Sequence, residues 1–408
     1  MTEARALRDD RWLFAGLGLA VCIAILVVIC RPWDLASGFM IGAPFGRDFA
    51  NFWLAGHLAT TGQLDVLTDL QGYNAVFQRT FQHNPAELFV FSYPPHLLLA
   101  LAPFGALPFV PADTLWTAVN LVCLALTVRL LRAEWSLCGL ALLSPAVLTM
   151  VAFGHFGGML ALLATLALRD AAVRPLVSGL CLAALSVKPQ FALVLGLILL
   201  LAGYWRPVVW AVPATAALVA ASIAAFGFKP WSDFVTWTMP FHARMLAEFD
   251  IQAMRTTISV YAGMRMAHVP GLVANVAQYA VSLAALARVV VLIRREGLIG
   301  ARTAALALLA ALVALPYVNG YDLAIAAPAL TVALFKDRPE QPFLGFVPAM
   351  LLWLVPPFSL PFGLWELPAV PAAFALAVML ALFGSGAGRP RTVQTAPAGA
   401  VPAGRPSP

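Results

Sequence analysis

The feature that most constrains this chain is a series of apolar runs, each separated from the next by a short polar or basic segment. Several runs approach the roughly 20 residues that a helix needs to cross a bilayer. Hydrophobic residues make up 62% of the sequence and charged residues only 11%, whereas about 25% of the residues in soluble proteins are charged. This composition predicts an all-α, polytopic membrane protein.

Hydropathy predicts about 12 spanning helices. The first, residues 12–30, follows three arginines and is too long for a signal-peptide core, so we expect a retained helix with its N-terminus in the cytoplasm. The others are 113–131, 136–152, 156–169, 175–187, 190–203, 207–228, 271–293, 302–315, 322–335, 342–357 and 366–383. The segment 93–109 is short and contains prolines, which predicts a re-entrant or interfacial segment covered by protein.

The basic clusters between these runs all fall on one side of the predicted arrangement, and the positive-inside rule makes that side cytoplasmic. Both termini are then cytoplasmic, in a multi-pass membrane protein. Residues 31–112 form the first extracytoplasmic loop and residues 229–270 the second large one. Residues 1–383 are expected to form a single domain, and the Ala-, Pro- and Gly-rich residues 384–408 a disordered cytoplasmic tail.

A charged pair, Arg47-Asp48, stands in otherwise apolar sequence after the first hydrophobic run. Phe49, Phe52 and Trp53 follow at helical spacing, so we expect a helix to begin at Arg47 or Asp48 and to rest this face on apolar surface. Asp48 then either caps the helix or is an ionised carboxylate, favoured by the helix dipole, that acts as a general base. Arg47 has three alternative roles: it pairs with Asp48, binds the phosphate of a substrate that donates a group, or contacts lipid headgroups.

Further polar residues fall on the predicted outer face. Lys188 either snorkels to the interface or binds an anion, for which a phosphate at the membrane surface is the natural partner. His155 is flanked by glycines that either make a turn or let a ligand approach the backbone while the imidazole binds it. Asp322 follows the turn signal Asn319-Gly320, and either caps a helix or binds sugar hydroxyls together with Tyr321.

The outer loop 229–270 mixes charged residues, Arg255 among them, with tryptophan, phenylalanine and tyrosine. Aromatic residues are common at membrane interfaces, but in this mixture they also suit the binding of a sugar and a phosphate. The sequence contains no P-loop, no Rossmann glycine pattern between a strand and a helix, and no zinc-protease motif. We therefore expect no cofactor and no metal, and an enzyme of this kind would use a lipid-linked activated substrate. We also expect no nucleic-acid partner, because the basic residues largely lie between hydrophobic runs, where they orient helices.

Three function classes fit a polytopic protein of this kind. A glycosyltransferase that uses lipid-phosphate sugars would gather its polar residues on one face of the membrane, as this chain is predicted to do. A transporter or flippase for a lipid-linked or anionic substrate would place charges deep within its helices, where this sequence has few. A non-catalytic scaffold would not require Asp48, Lys188 and Asp322 to converge.

The order of these motifs resembles the GT-C membrane glycosyltransferases, and most closely glycosyltransferase family 87. The motifs are Arg47-Asp48 after the first helix, Gly62-Gln63, Tyr93-Pro94-Pro95 with Pro103, Gly154-His155-Phe156, Lys188-Pro189, and Pro316-Tyr317 to Tyr321-Asp322. The resemblance covers residues 12–335. This family includes the polyprenol-phosphate-mannose-dependent mannosyltransferases of mycobacterial lipid glycan synthesis.

The resemblance implies a GT-C-like fold and inverting transfer of a sugar from a polyprenyl-phosphate donor to a lipid or glycan acceptor outside the cytoplasmic membrane. It implies that Asp48 is the base that deprotonates the acceptor hydroxyl, that Lys188 contacts the donor phosphate, and that His155 lies in the active site. The expected donor- and substrate-binding residues are Arg47, His155, Lys188, Arg255, Tyr321 and Asp322.

Two motifs depart from the family pattern. A step that resembles Gly-Gln-x-Asn in the family reads Gly154-His155-Phe156-Gly157 in this chain, without the amides. The late motif, in which mannosyltransferase members carry a histidine after a Ser-x-Trp step, reads Tyr321-Asp322. The transferred sugar is therefore left as a mannose-like hexose or a pentose.

Overall fold

The computed structural model describes residues 15–28, 46–81, 89–250, 254–298, 300–336 and 343–384. Within these residues every regular secondary-structure element is a helix. The β-structure there is an isolated antiparallel bridge between Thr257 and Asn319. The all-α class predicted from the sequence is confirmed. The predicted tail falls, after Gly384, outside the described residues.

The α-helices are numbered here in chain order. The N-terminal half of the described chain holds α1 Ala15–Val28, α2 Arg47–Thr60, α3 Leu64–Thr68, α4 Leu70–Phe81, α5 Leu98–Gly105, α6 Phe109–Leu130, α7 Trp135–Leu142, α8 Pro145–Phe153, α9 Gly157–Asp170, α10 Pro175–Leu185 and α11 Pro189–Leu201. The C-terminal half holds α12 Trp205–Phe226, α13 Lys229–Asp233, α14 Met239–Glu248, α15 Val260–Met266, α16 Gly271–Glu296, α17 Ala301–Val313, α18 Ala327–Phe335, α19 Phe343–Leu354, α20 Ser359–Leu364 and α21 Ala369–Phe383. Short 3-10 helices cover Pro95–Leu97, Gly320–Ile325 and Pro356–Phe358, and Phe234–Thr238 is a π-helical turn.

By length and composition, three of the described helices are able to cross a membrane: α6, α12 and α16. They correspond to the predicted spans 113–131, 207–228 and 271–293. The predicted span 136–152 is instead two helices, α7 and α8, which meet at an angle of 54°. The bend falls at Pro145, because a proline cannot continue the hydrogen-bond ladder of a preceding helix.

The other apolar segments form helices of 10–17 residues, shorter than the roughly 20 residues that cross a bilayer. The expected count of about 12 spans is therefore not confirmed by the lengths of the described helices. Prolines occupy the first turns of α8, α10 and α11 and so limit the length of the segment before each of these helices.

The centre of the molecule is the alanine-rich helix α17, in which every residue except Arg302 is buried. It packs against α11, α16, α18 and α21. At the periphery, α12 buries almost none of its length and exposes apolar side chains such as Val212. A helix that is apolar all round and exposed on its outer side is the pattern expected of a lipid-facing helix.

The predicted re-entrant segment 93–109 runs along α2. Gly56 and Gly105 face each other so closely that a Cβ atom at Gly105 would lie 2.1 Å from the Gly56 carbonyl carbon. The indole of Trp53 donates a hydrogen bond to the Leu107 carbonyl at 2.9 Å, and His57 Nδ1 lies 3.1 Å from the Gly105 carbonyl. This contact fixes α2 against the segment that begins with Tyr93.

The glycine contact between α2 and α5 gives a direct test of the fold. We expect Gly105→Ala to lower the unfolding free energy by about 1–3 kcal/mol, because the added methyl group meets backbone that cannot rotate away. The matched control is Gly139→Ala in α7, where a Cβ meets nothing within 4 Å, and where alanine should be neutral or stabilising. Thermal unfolding of the purified protein in detergent measures both, and equal effects at the two positions would contradict the packing described.

Candidate active site

Two glycines bring the start of α2 against the end of α8. Gly46 has φ 68° and donates its N–H to the Ala152 carbonyl at 2.7 Å. Gly154 has φ 73°, and a Cβ there would lie 2.6 Å from the Cβ of Phe49. Both positions require a left-handed backbone that glycine adopts without strain. The first turn of α2, which carries Asp48, is thereby held against the end of α8, which His155 follows.

The apolar face predicted for α2 is buried as expected. Phe49 and Phe52 are 0% and 1% exposed, and Trp53 is 9% exposed. Phe49 contacts Trp116 with ring centroids 5.4 Å apart, and Phe52 contacts Phe156 at 5.2 Å in an edge-to-face arrangement. Aromatic pairs in this geometry add to the stability gained from buried area, so α2 is firmly anchored beneath its charged first turn.

Asp48 is not a capping residue in this structure. The N-cap position belongs to Gly46, and no side chain makes a capping hydrogen bond there. The Asp48 carboxylate instead accepts a hydrogen bond from the hydroxyl of Tyr321. The Asp48 carboxylate is therefore not used to cap α2. Among the described residues it belongs to a polar cluster built from distant parts of the chain.

The surroundings of Asp48 both raise and lower the pKa of its carboxyl group. Burial under neighbouring protein atoms raises the pKa of the carboxyl from 3.8 to about 6, although the Arg47 guanidinium and the hydrogen bond from Tyr321 oppose this shift. The helix dipole alone predicted an easily ionised group, and the loss of hydration outweighs it. Part of the side-chain surface nevertheless remains exposed. Asp48 is thus a deep but reachable carboxylate that is ionised at neutral pH.

Tyr321 is held by the turn that contains Asn319. The Asn319 side-chain amide donates to the Tyr321 hydroxyl at 2.8 Å, and its backbone N–H donates to Asp322 Oδ2 at 2.9 Å. Asn319 and Asp322 together form a capping box for the 3-10 helix Gly320–Ile325. The cap predicted as one alternative for Asp322 is therefore present, and it places Tyr321 over Asp48.

The loop 229–270 reaches this turn through Thr256 and Thr257. Both hydroxyls donate to Asn319 Oδ1 at 3.1 Å, and the N–H of Ile258 donates to the Val318 carbonyl at 2.7 Å. Arg255, which was expected to bind substrate, immediately precedes this segment, and its backbone packs against Gly363. The described contacts from this loop to the turn are thus made one to four residues after Arg255.

Lys188 and Asp322 form a buried ion pair. Lys188 is 6% exposed and Asp322 0% exposed, and the Lys188 ammonium donates to Asp322 Oδ1. Lys188 occupies the N-cap position of α11, where Pro189 starts the helix. The burial excludes a lysine that snorkels to the membrane interface. The pair ties the junction between α10 and α11 to the turn that carries Tyr321.

His155 is 1% exposed and lies between Phe156 and Tyr321, with ring centroids at 4.5 and 4.6 Å. Its Nε2 is 3.3 Å from the hydroxyl of Tyr93, and its Nδ1 is buried without a partner among the described residues. Burial lowers the pKa of the imidazole to about 3, so His155 is neutral. In the tautomer with the proton on Nδ1, Tyr93 donates to Nε2 and only the Nδ1–H stays unpaired. In the tautomer with the proton on Nε2, both the Nδ1 lone pair and the Tyr93 O–H would stay unpaired. The cost of unpaired buried groups therefore favours the Nδ1–H tautomer.

The glycines beside His155 serve packing and not ligand access. Gly154 meets Phe49, and a Cβ at Gly158 would lie 2.3 Å from the Asn120 carbonyl oxygen. Asn120 also accepts hydrogen bonds from the N–H groups of Gly158 and Met159 at 3.0 and 3.2 Å. The prediction that these glycines admit a ligand to the backbone was wrong, because other protein segments fill the space.

The structure brings together six of the seven residues expected in the site. They are Arg47, Asp48, His155, Lys188, Tyr321 and Asp322. The sequence analysis placed Tyr93 only in the Tyr93-Pro94-Pro95 motif, without a role in the site, and it treated Asn319 only as a turn residue. The spacing of Asn319 and Asp322, three residues apart, is a capping-box signal that would have linked them.

The cluster combines a reachable carboxylate, a neutral imidazole and a buried ion pair. Comparison with known proteins assigns the chain that carries this cluster to a family. Among the described residues no group of three or more His, Cys, Asp or Glu side chains is arranged to hold a metal ion. Comparison with curated proteins and with solved structures found no match. The model of glycosyltransferase family 87 matches residues 91–316, more than half of the chain. The chain therefore belongs to glycosyltransferase family 87.

Proposed function

We propose that this protein is an inverting glycosyltransferase that moves a mannose-like hexose or a pentose from a polyprenyl phosphate to a lipid or glycan acceptor. Membership of the family supports a membrane glycosyltransferase. The observation that carries the finer proposal is Asp48, a carboxylate with a pKa of about 6 that is deep in the protein, partly exposed and flanked by Arg47. A base with a pKa near the working pH is the most effective.

In the proposed reaction the Asp48 carboxylate takes the proton of an acceptor hydroxyl. The acceptor oxygen then forms a bond to the anomeric carbon of the donor sugar from the face opposite the phosphate. The bond between that carbon and the phosphate oxygen breaks, and polyprenyl phosphate leaves with the electron pair. One displacement inverts the configuration. A positioned base of this kind contributes about 10²–10⁴-fold to the rate.

We assign the donor phosphate to Arg47. Its guanidinium lies 4.9 Å above the Phe89 ring, and its charge acts on Asp48 more strongly than that of Lys188. A planar guanidinium forms paired hydrogen bonds with phosphate oxygens, and a cation beside the departing oxygen stabilises the charge that develops there. Lys188, which the family resemblance implies as the phosphate contact, shares its ammonium with Asp322 and acts in this proposal by holding Tyr321 on Asp48.

His155 and Tyr321 are the proposed sugar contacts. The buried Nδ1 of His155 has no described partner, and a sugar hydroxyl that accepts from it would remove the cost of an unpaired buried group. Tyr93 fixes the tautomer from the opposite side of the ring. A neutral imidazole donates a hydrogen bond without adding charge beside the carboxylate.

We further propose that the site faces the extracytoplasmic side of a bacterial cytoplasmic membrane, with both termini in the cytoplasm and about 12 crossings. The basic connections support this orientation through the positive-inside rule. A polyprenyl-phosphate donor fits such a location, because its lipid tail stays in the bilayer while its head group meets the outer loops.

Asp48→Asn tests the proposed base. We expect membranes that contain the wild-type protein to transfer label from at least one member of a panel of polyprenyl-phosphate sugars. The variant should insert and fold but lose about 10²–10⁴-fold in transfer rate, because the amide cannot accept the proton. Full activity in the variant would contradict the base assignment. Movement of the lipid across the membrane without transfer would support a flippase instead.

The pH profile tests the surroundings of Asp48. Burial raises the pKa of this carboxyl to about 6, so the carboxylate is protonated below that pH and cannot act as a base. There kcat/KM should fall about tenfold for each unit by which the pH is lowered. Above that pH the profile should be flat until another group titrates. Arg47→Gln should move the inflection to higher pH, because the guanidinium holds the pKa down. A profile unaffected by Arg47→Gln would contradict this arrangement.

A paired substitution tests the role of Lys188. Lys188→Ala alone should cost about 3–5 kcal/mol of stability, because it leaves a buried carboxylate unpaired. The double variant Lys188→Gln/Asp322→Asn replaces the ion pair with neutral amides and should recover most of that loss. We expect the double variant to keep the wild-type KM for the donor. A raised donor KM at restored stability would instead support direct contact between Lys188 and the phosphate.

A further inference from the structure

A second concave site lies at the far end of α15. It is a cavity of about 280 Å³ lined by Phe249, Arg265, Met266, His268 and Glu366. Its volume is close to the lower limit of small-molecule sites, which occupy about 300–1,000 Å³. The lining comes from three separate parts of the chain: the end of α14, the end of α15 and the turn before α21.

The backbone of this cavity is unusual. Among the described residues four non-glycine residues have a positive φ, and three of them, Phe249, His268 and Glu366, line the cavity with φ values of 57°, 58° and 55°. Each follows the end of a helix, a position where glycine normally avoids the steric penalty. The chain uses glycine at the equivalent end of α8, at Gly154. Strained residues clustered in one place support a functional site.

The lining side chains are suited to hydroxyl groups. Arg265 donates to the Val269 carbonyl at 3.2 Å, its guanidinium lies 5.4 Å above the Phe249 ring, and its Nε is buried without a partner among the described residues. Glu366 supplies an acceptor, while His268 supplies a donor or an acceptor. A sugar hydroxyl both donates and accepts, so it satisfies this mixture. The carboxylate of Glu366 disfavours a phosphate.

α15 separates this cavity from the turn that carries Tyr321. The start of α15 is tied to that turn, because Ser259 donates to the Pro316 carbonyl at 2.6 Å. The cavity lies at the other end of this helix of seven residues, which spans on the order of 10 Å at 1.5 Å per residue. A cavity one helix length beyond the turn suits a neighbouring unit of a longer substrate.

We propose that this cavity is a carbohydrate subsite that binds a sugar unit of the acceptor, away from the hydroxyl that reacts. The proposal rests on the glycosyltransferase function proposed above. It predicts that the protein prefers an acceptor that already carries a glycan, because only such an acceptor reaches both sites.

The left-handed residues allow a test in which loss of folding is not a concern. Glu366→Gly and His268→Gly remove the polar groups and at the same time relieve the backbone, so the unfolding temperature should stay the same or rise. Arg132→Gly is the matched control, because Arg132 also has a left-handed backbone, with φ 57°, but lies outside the cavity. Binding of a panel of di- and trisaccharides of mannose, glucose, galactose and arabinose is measured on the full-length protein in nanodiscs by saturation-transfer NMR.

We expect the wild-type and Arg132→Gly proteins to bind one of these oligosaccharides, and Glu366→Gly and His268→Gly to bind it about tenfold more weakly, as the loss of a charged or strong hydrogen bond predicts. No binding to any oligosaccharide, equal binding by all variants, or displacement of the sugar by glycerol phosphate would overturn the subsite. This readout needs no turnover, so failure of the transfer assay would count against the proposed reaction alone.

Discussion

The buried ion pair between Lys188 and Asp322 is the interaction on which the rest of the site depends. An ion pair that is removed from water is stable only when further hydrogen bonds satisfy both partners. Asp322 obtains one from the backbone N–H of Asn319. Through Asn319 the pair is linked to Thr256 and Thr257 in one direction and to Tyr321 in the other. The geometry around Asp48 is therefore set by residues far from it in sequence.

The chemistry of Asp48 results from two features that oppose each other. Its position in the first turn of α2 and the adjacent Arg47 favour the ionised form, whereas burial disfavours it. Burial is the larger influence, and the pKa of the carboxyl rises to about 6. A capping aspartate in solvent would be a much weaker base. The close contacts of Gly46 with Ala152 and of Gly154 with Phe49 hold this first turn of α2 against the end of α8.

Much of the fold class and several site residues could be predicted from the sequence, because apolar runs and isolated charges are local signals. Arg47, Asp48, His155, Lys188, Tyr321 and Asp322 stood out as polar residues in apolar surroundings. Pairing is not a local property: that Lys188 meets Asp322, or that Tyr93 meets His155, depends on how distant helices pack. The predicted span 136–152 is two helices in the structure, because hydropathy does not register the break before Pro145, where the chain bends by 54°.

Binding of a donor phosphate would affect the two cations of the site, Lys188 and Arg47, in different ways. Lys188 is committed to Asp322 in a buried pair, so a phosphate would have to compete with a carboxylate for its ammonium. Arg47 is half-buried, and its charge lowers the pKa of Asp48. In the proposed reaction, a donor phosphate next to Arg47 would offset that charge, and the pKa of Asp48 would rise. The carboxylate would then become a stronger base once the donor is bound, which couples proton abstraction to the presence of a sugar to transfer.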